Sequence, residues 1–167
     1  QKNFADIVLV DIIDGLPQGK SLDILQAGAW GRFSIDIKGT IEWEDTKDSD
    51  VVIITSGVPR KPGMTREDLL NTNAGIVESV ITNAIKYSPN AKYIIFSNPM
   101  DAMCHVALNK SGLKVNQIIG QGGMLDSARY RTFLAKESGR SVVEVNAWVL
   151  GGHTEATMVP IVSNATI

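Results

Sequence analysis

Short apolar segments alternate along the chain with longer segments in which apolar residues repeat at helical spacing. The short segments, flanked by turn-forming residues, predict strands at 5–11, 35–39, 50–55, 92–96, 117–120, 142–149 and 158–162. The periodic segments predict helices at 16–29, 65–88, 100–110 and 124–138. Because strands alternate with helices, the pattern predicts an α/β fold built on a parallel sheet with right-handed crossovers.

Some of these elements carry expectations about burial and helix capping. The uninterrupted apolar segment at 50–55 is typical of a strand buried on both faces. Thr65 and Asp68 have the spacing of a capping box at the start of the helix 65–88. The helix 124–138 is expected to bury its apolar residues Leu125, Ala128, Phe133 and Leu134.

Several polar segments lie at the carboxyl ends of predicted strands. They are Asp11, the loop 55–66, and the pair Ser97 and Asn98. Two prolines and two glycines in that loop exclude regular structure. Because ligands bind outside the carboxyl ends of parallel strands, we expect these segments to meet at one edge of the sheet and to form a binding site there.

The composition and net charge of the chain limit the kinds of molecule that it is expected to bind. The chain is 44% hydrophobic and 20% charged, with a net charge of −2 and a mean hydropathy of +0.03. This balance gives no reason to expect nucleic acid or a membrane surface as a partner, and no apolar segment reaches the roughly 18 residues of a membrane span. We expect no metal site, and any anionic ligand must be held by locally placed cations.

The single cysteine, Cys104, excludes an internal disulfide and fits a reducing compartment, so we expect a cytoplasmic protein. Its apolar neighbours predict a buried core position, and His105 beside it is assigned to structure. The chain opens at Gln1 rather than Met and enters a predicted strand almost at once. We therefore expect the natural N-terminus to lie further upstream, which leaves an organellar location open.

Asp126, Arg129 and His153 are candidates for chemistry, although each has an ordinary explanation. Asp and Arg three residues apart on a helix usually form a solvated surface pair worth about 0.3–0.5 kcal/mol. A histidine after two glycines is usually a turn residue. The alternative is that the fold brings His153 back to Asp126, since an imidazole exchanges protons near pH 7 and a buried carboxylate on its other nitrogen fixes its tautomer.

Asp11 lies where a dinucleotide-binding fold has the carboxylate that accepts the ribose hydroxyls, and such an acid favours NAD over NADP. The alternative is that aspartate simply favours the turn after a strand. In a dinucleotide fold the glycine-rich loop precedes this acid by about 20 residues. That position falls before Gln1, so we expect the first strand and its glycine loop to lie outside the chain.

Three arginines offer charge for an anionic ligand. Arg60 and Arg66 lie on the loop rich in glycine and proline, and Arg129 lies on a predicted helix. Guanidinium groups directed at one cleft suit a small dicarboxylate, because each grips a carboxylate through two parallel hydrogen bonds. Loop arginines that are simply solvated are the alternative.

Five motifs occur together in the order and spacing of the lactate/malate dehydrogenase family, which the chain resembles over nearly its whole length. The resemblance is strongest to the lactate-dehydrogenase-like malate dehydrogenases. The segments that carry it are Ser-Gly-Val-Pro-Arg-Lys-Pro-Gly-Met-Thr-Arg at 56–66, Asn-Ala-Gly-Ile-Val at 73–77, Ser-Asn-Pro-Met-Asp at 97–101, Leu-Asp-Ser-Ala-Arg at 125–129 and Gly-Gly-His at 151–153.

The resemblance implies an oxidoreductase of the tricarboxylic acid cycle that oxidises (S)-malate to oxaloacetate with NAD. It implies His153 as proton acceptor with Asp126 as its orienting carboxylate. It implies that Arg129 binds the C1 carboxylate of the substrate and that Arg66, on a loop that closes over the substrate, polarises the carbonyl. It also implies that Asn98 hydrogen-bonds the substrate oxygen and that Arg60, at the position where lactate enzymes usually carry Gln, pairs with the second carboxylate. The cofactor would be held by Asp11, Asn73, Phe96, Ser97 and Asn98.

The resemblance also implies a division into domains and an assembly. Residues 1–122 correspond to a Rossmann dinucleotide-binding domain and residues 123–167 to the start of an α+β substrate domain, each incomplete. A homodimer or homotetramer is expected. The alternatives are a lactate or other 2-hydroxyacid dehydrogenase, and a non-catalytic module that keeps the fold for binding or assembly.

One segment departs from the family pattern. After the two glycines the family usually has His-Gly-Asp, whereas here the sequence is His153-Thr154-Glu155 and the segment to Met158 is one residue longer. If the turn requires a positive φ after the histidine, Thr154 would be strained there. We therefore expect this turn to decide how His153 is directed.

Overall fold

The computed structural model describes residues 5–167; residues 1–4 of the predicted first domain lie outside the described part. The chain forms two compact units, one containing residues 5–50 and 83–91 and the other containing 51–82 and 92–167. The predicted division into 1–122 and 123–167 stays a prediction. No helix formed by the described residues is long and apolar enough to cross a membrane.

The first unit is a strand–helix–strand arrangement. Strand β1 (Ile7–Val10) and strand β2 (Ile37–Thr40) pair in parallel, and helix α1 (Leu16–Gly31) connects them. The helix start packs directly on β2, where a Cβ added to Gly39 would lie 2.1 Å from the carbonyl oxygen of Pro17. Only glycine permits this approach of the two backbones.

The second unit contains a parallel three-stranded sheet. Its strands are β3 (Val51–Ile54), β4 (Lys92–Ile95) and β5 (Ile118–Gly120), in that order across the sheet. Helix α2 (Arg66–Tyr87) follows the loop after β3, and helix α3 (Met100–Ser111) connects β4 to β5. These elements confirm the predicted α/β alternation with parallel pairing.

The last part of the second unit changes from parallel to antiparallel pairing. Helix α4 (Gly123–Ser138) is followed by strands β6 (Val149–Gly151) and β7 (Met158–Pro160), which form an antiparallel hairpin. The described residues also form short 3₁₀ helices at Trp43–Thr46, Val115–Gln117 and Val162–Asn164.

The core of the second unit is centred on the parallel sheet. The largest fully buried side chains there are apolar and come from both strands and helices: Ile54, Val77, Ile81, Tyr93, Ile95 and Met103. Burial raises the pKa of the Tyr93 hydroxyl to about 12. A smaller buried cluster of Ala135, Val145 and Ala147 fixes the segment between α4 and β6 against the helix.

One predicted element is wrong. Residues 142–149 do not form a continuous strand: residues 142–144 form a turn, Asn146 makes an isolated antiparallel bridge with Thr166, and β6 begins only at Val149. The buried Val145 packs against α4 while its carbonyl oxygen accepts a hydrogen bond from Arg131 Nε at 2.7 Å. The apolar residue Val145 is therefore explained by packing against a helix, and its carbonyl oxygen is bonded to a side chain rather than to a neighbouring strand.

Several burial predictions are also wrong. On β3, Val51 is 51% exposed and Ile53 is 58% exposed, whereas Ile54 is buried. Val51 and Ile53 alternate along the strand and share one face, so β3 is buried on one face rather than on both. On α4, Phe133 is 64% exposed, and the described helix buries Asp126 and Ser127 where apolar residues were expected. Beside the core, Cys104 is only half-buried and His105 is exposed.

Candidate active site

His153 and Asp126 form a close pair in the second unit. The ring Nδ1 of His153 lies 2.7 Å from Asp126 Oδ2, although the two residues are 27 positions apart. The Asp126 side chain is only 6% exposed and that of His153 is 24% exposed. Asp126 lies in the first turn of α4, where the helix macrodipole stabilises a negative charge. The fold thus supplies the buried carboxylate that the chemical interpretation of this histidine requires.

Arg129 lies one helical turn from Asp126, with its Nη1 3.6 Å from Asp126 Oδ1. The arginine side chain is 60% exposed while the aspartate is almost completely buried. A solvated surface pair has two exposed members, so that explanation fails for Asp126. The guanidinium itself remains accessible beside an open groove of about 330 Å³ that Glu155 and Met158 also line.

His153 lies on the connection between β6 and β7, and the strain considered for Thr154 is absent. The only non-glycine residues with positive φ in the described chain are Arg32 and Asp48. The longer turn is closed by a contact of 2.7 Å between the hydroxyls of Thr154 and Thr157 and by a hydrogen bond from Met158 N to the Thr154 carbonyl oxygen. The departure from the family pattern therefore leaves the ring of His153 directed at Asp126.

Asn73 joins the loop after β3 to the turn after β4. Its Nδ2 donates to the carbonyl oxygen of Asn98 at 2.6 Å and to that of Val58 at 3.2 Å. Its Oδ1 accepts the Val58 N–H at 2.8 Å, and the residue is 1% exposed. Asn73 therefore acts on any ligand through the backbone that it holds.

In the turn after β4, one side chain is buried and hydrogen-bonded within the protein, whereas others are exposed and accessible to a ligand. Ser97 is buried and its hydroxyl donates to the carbonyl oxygen of Ser56. Phe96 is 44% exposed, and Asn98 is also exposed. Of the residues predicted at this turn, Asn98 is the one whose side chain is accessible for direct hydrogen bonding to a ligand.

Arg60 and Arg66 are both exposed, and neither makes an ion pair with a described residue. Arg60 Nε donates to the carbonyl oxygen of Met64 at 3.1 Å, which folds the side chain back along its loop. Arg66 is the first residue of α2. The structure does not bring either guanidinium into contact with His153 or Asp126.

The start of α2 confirms the predicted capping box. Thr65 N donates to Asp68 Oδ2 at 2.9 Å, and Asp68 N donates to Thr65 Oγ1 at 3.0 Å. Hydrogen bonding to the carboxylate from the Thr65 side chain, and secondly from the Thr65 backbone N–H, lowers the pKa of the Asp68 carboxyl. The helix that carries Asn73 therefore has a fixed starting point directly after the glycine- and proline-rich loop.

Asp11 belongs to the first unit and lies at the carboxyl end of β1, as predicted. Its Oδ1 accepts the N–H of Ile13 at 3.1 Å, which is the turn-forming role considered as the alternative. Its Oδ2 has no hydrogen bond to a described residue. One carboxylate oxygen thus holds the turn, and the other is available as an acceptor for the hydroxyls of a ribose.

Sequence reasoning gave no role to two residues that hold the histidine loop. Asp101 Oδ2 accepts the main-chain N–H of His153 at 3.0 Å, and Ser127 Oγ accepts the N–H of Val149 at 2.9 Å. Asp101 lies in the motif at 97–101, which by itself assigns no role to this residue. No periodicity in the sequence relates it to a loop 52 residues away.

Two family descriptions match adjoining parts of the chain. Residues 1–120 match the NAD binding domain of lactate/malate dehydrogenase, and residues 123–167 match the alpha/beta C-terminal domain of the same family. Among the relatives, the malate dehydrogenase of Roseiflexus castenholzii is 50% identical over 166 residues, which are 99% of this chain and 53% of that protein. The chain thus spans about half the length of the relatives it matches.

Solved structures give the same result. A malate dehydrogenase from Cryptosporidium parvum is 47% identical and has a TM-score of 0.90, over 98% of this chain and 52% of that one. A lactate dehydrogenase from Cryptosporidium parvum, complexed with lactic acid and NAD, is 42% identical and has a TM-score of 0.90, over 99% of this chain and 52% of that one. With both of its parts matched, the chain belongs to the lactate/malate dehydrogenase family.

Proposed function

We propose that the intact protein containing this chain is an NAD-dependent malate dehydrogenase, which interconverts (S)-malate and oxaloacetate. The observation that carries the proposal is the buried carboxylate 2.7 Å from the ring of His153. Within a family of dehydrogenases, such a pair has a direct use as the group that exchanges the proton of the substrate hydroxyl.

The pair determines which ring nitrogen does this work. When Asp126 is ionised, Nδ1 of His153 carries the proton and donates it in the hydrogen bond to Oδ2. Nε2 then has a free lone pair and accepts the proton of the malate hydroxyl. As this proton leaves, the C2–H bond breaks and its electron pair departs as hydride, so that the C2–O bond becomes a carbonyl. Asp126 stabilises the imidazolium that results.

NAD, when bound, supplies the acceptor for that hydride. We assign Asp11 Oδ2 to the ribose hydroxyls, because it has no other hydrogen bond among the described residues. The turn from Phe96 to Asn98 is assigned to the cofactor through its main chain, with Asn73 holding that main chain in place. Asn98 also donates its side-chain amide to the reacting oxygen of the substrate.

The arginines are assigned to the substrate carboxylates. Arg129 binds the C1 carboxylate, since its exposed guanidinium lies one helical turn from Asp126. Arg66, at the end of the loop, polarises the carbonyl when the loop closes and excludes water. Both guanidiniums are exposed in the structure. Arg66 makes no ion pair with a described residue, and the 3.6 Å pair between Arg129 and Asp126 leaves the Arg129 side chain 60% exposed for a substrate carboxylate.

Arg60 is proposed to select malate over lactate. Relatives of similar likeness include both malate and lactate dehydrogenases, so overall similarity does not separate the two substrates. The charge of Arg60 separates the two substrates. A guanidinium enclosed against the methyl group of pyruvate is left without a counter-charge, which costs several kcal/mol of binding free energy. The second carboxylate of oxaloacetate supplies that counter-charge. The homodimer or homotetramer and the cytoplasmic location stay predictions.

A steady-state assay of the intact protein with NADH tests the proposal. We expect kcat/KM for oxaloacetate to exceed that for pyruvate by about 10²-fold or more, the equivalent of about 3 kcal/mol. A preference for pyruvate contradicts the role of Arg60 and favours a lactate dehydrogenase. NADH binding, followed by fluorescence, without turnover of any 2-ketoacid contradicts the enzymatic proposal and favours a non-catalytic module.

A further inference from the structure

His153 is held by two carboxylates, and the proposed reaction uses only one of them. Asp126 on α4 accepts the ring hydrogen bond at Nδ1. Asp101 on α3 accepts the main-chain N–H of the same histidine at 3.0 Å. The histidine is therefore attached at its ring and at its backbone to two different helices.

The position of Asp101 in a helix does not explain this contact. A carboxylate in the first turn favours the helix through the macrodipole. In the described chain, however, the hydrogen bond of Asp101 goes to His153, and the residue before the helix, Pro99, makes no side-chain cap. Burial raises the pKa of the Cys104 thiol, and the nearby Asp101 adds to that increase.

The main chain beside His153 is packed closely against the same helices. A Cβ added to Gly152 would lie 3.1 Å from Asp101 Oδ2 and 2.6 Å from Thr157 Oγ1. A Cβ added to Gly122, just before α4, would lie 2.9 Å from the Cβ of His153. The loop therefore cannot move closer to the helices, and the Asp101 hydrogen bond opposes movement away from them.

We propose that Asp101 is a positioning residue that fixes the backbone of His153 while Asp126 fixes its ring. A single hydrogen bond at Nδ1 lets the imidazole pivot about that bond, and pivoting displaces Nε2 from the substrate oxygen. A second attachment at the backbone removes this freedom, and small displacements of a reacting group are costly in rate. The kinetic part of this inference rests on the proposed dehydrogenase function; the structural part does not.

The structural part is tested by NMR on the intact protein without substrate or cofactor. D101A removes the acceptor, so we expect the amide hydrogen of His153 to exchange about tenfold faster or more. D101N retains a neutral acceptor, so its exchange rises less and the amide proton resonance moves upfield. D45N is the control, since it removes a carboxylate that bonds Lys38 in the other unit, and it leaves His153 unchanged. An unchanged His153 amide in both Asp101 variants overturns the proposal.

The kinetic part separates positioning from simple stabilisation. We expect D101A to lower kcat for malate oxidation about tenfold or more, with KM for malate changed less than about threefold, and D101N to recover most of kcat. A lower thermal midpoint with unchanged kcat overturns the positioning role. If D101A does not fold, the test is the resonance of the His153 amide proton in D101N. An unchanged resonance in that variant overturns the proposal. If the unaltered protein does not turn over malate, the proposed function fails while the amide measurement still tests Asp101.

Discussion

Replacing Asp126 by Asn removes the charge beside His153 and changes little else in size. The asparagine side chain keeps a carbonyl oxygen that accepts the Nδ1 hydrogen bond. It also has an NH₂ group that donates to Nδ1 when the amide is reversed, and this favours the tautomer whose Nε2 carries hydrogen and cannot accept the substrate proton. We therefore expect D126N to impair catalysis through both charge and tautomer.

The size of the charge effect follows from the contact. In the proposed malate oxidation a positive charge forms on the ring that lies 2.7 Å from Asp126 Oδ2. Two unit charges about 4 Å apart at an effective dielectric constant of about 20 interact by about 4 kcal/mol. A neutral hydrogen bond returns about 1 kcal/mol. The remaining loss of about 3 kcal/mol corresponds to a decrease in kcat of about 10²-fold.

Steady-state kinetics in both directions measure the effect. A substitution cannot change the equilibrium constant of the reaction, so kcat/KM for malate and for oxaloacetate must fall by the same factor when cofactor affinity is unchanged. E78Q is the control, because Glu78 forms an exposed ion pair with Lys110, and its kcat should equal that of the unaltered protein. A kcat for D126N within threefold of the unaltered protein refutes the reasoning.

Four further outcomes are expected. R60Q lowers the ratio of kcat/KM for oxaloacetate to that for pyruvate by about 10²-fold, because the enclosed charge is lost; an unchanged ratio contradicts the selectivity role. N73A leaves the amide and carbonyl of Val58 and the Asn98 carbonyl without their partner, so urea unfolding should show a loss of about 2–4 kcal/mol. Burial first, and then the Asp101 charge, raise the pKa of Cys104, so iodoacetamide should alkylate it more slowly at pH 8 than a free thiol. Because the folded-state pKa of Asp68 is lowered, its capping contribution is present above the ordinary value of 3.8 and is lost as pH falls through the folded-state value; the stability difference from D68A should shrink in acid.

Much of the fold was predictable because its elements have local causes. Helix α3 was predicted at 100–110 and is observed at Met100–Ser111, ending where Gly112 adopts a positive φ of 67°. The apolar strand β4 and the capped start of α2 are equally local features. The strand predicted at 142–149 is wrong because Val145 and Ala147 pack in the cluster beside α4 without a ladder of hydrogen bonds, while Val142 and Val143 are exposed. The apolar pattern of the sequence does not distinguish this arrangement from a strand.

The candidate site was predictable only in part, because its geometry is long-range. The types and order of residues identified Asp126 and His153, but a spacing of 27 residues does not show that they touch. The burial of Asp126 ran against the expectation that apolar residues would face inward on α4. Asn73 was predicted to hold the cofactor, but its side chain makes three hydrogen bonds to the protein backbone. The sequence did not indicate these backbone contacts.

The attachment of His153 crosses the boundary between the two family segments. Asp101 belongs to the segment 1–120, whereas Asp126 and the histidine belong to 123–167. Chimeras between family members joined at residues 121–122 therefore combine one parent's backbone anchor with the other parent's ring anchor. Such hybrids keep an ordered histidine only when both parents carry the same anchor geometry, so a junction at this boundary does not exchange independent parts.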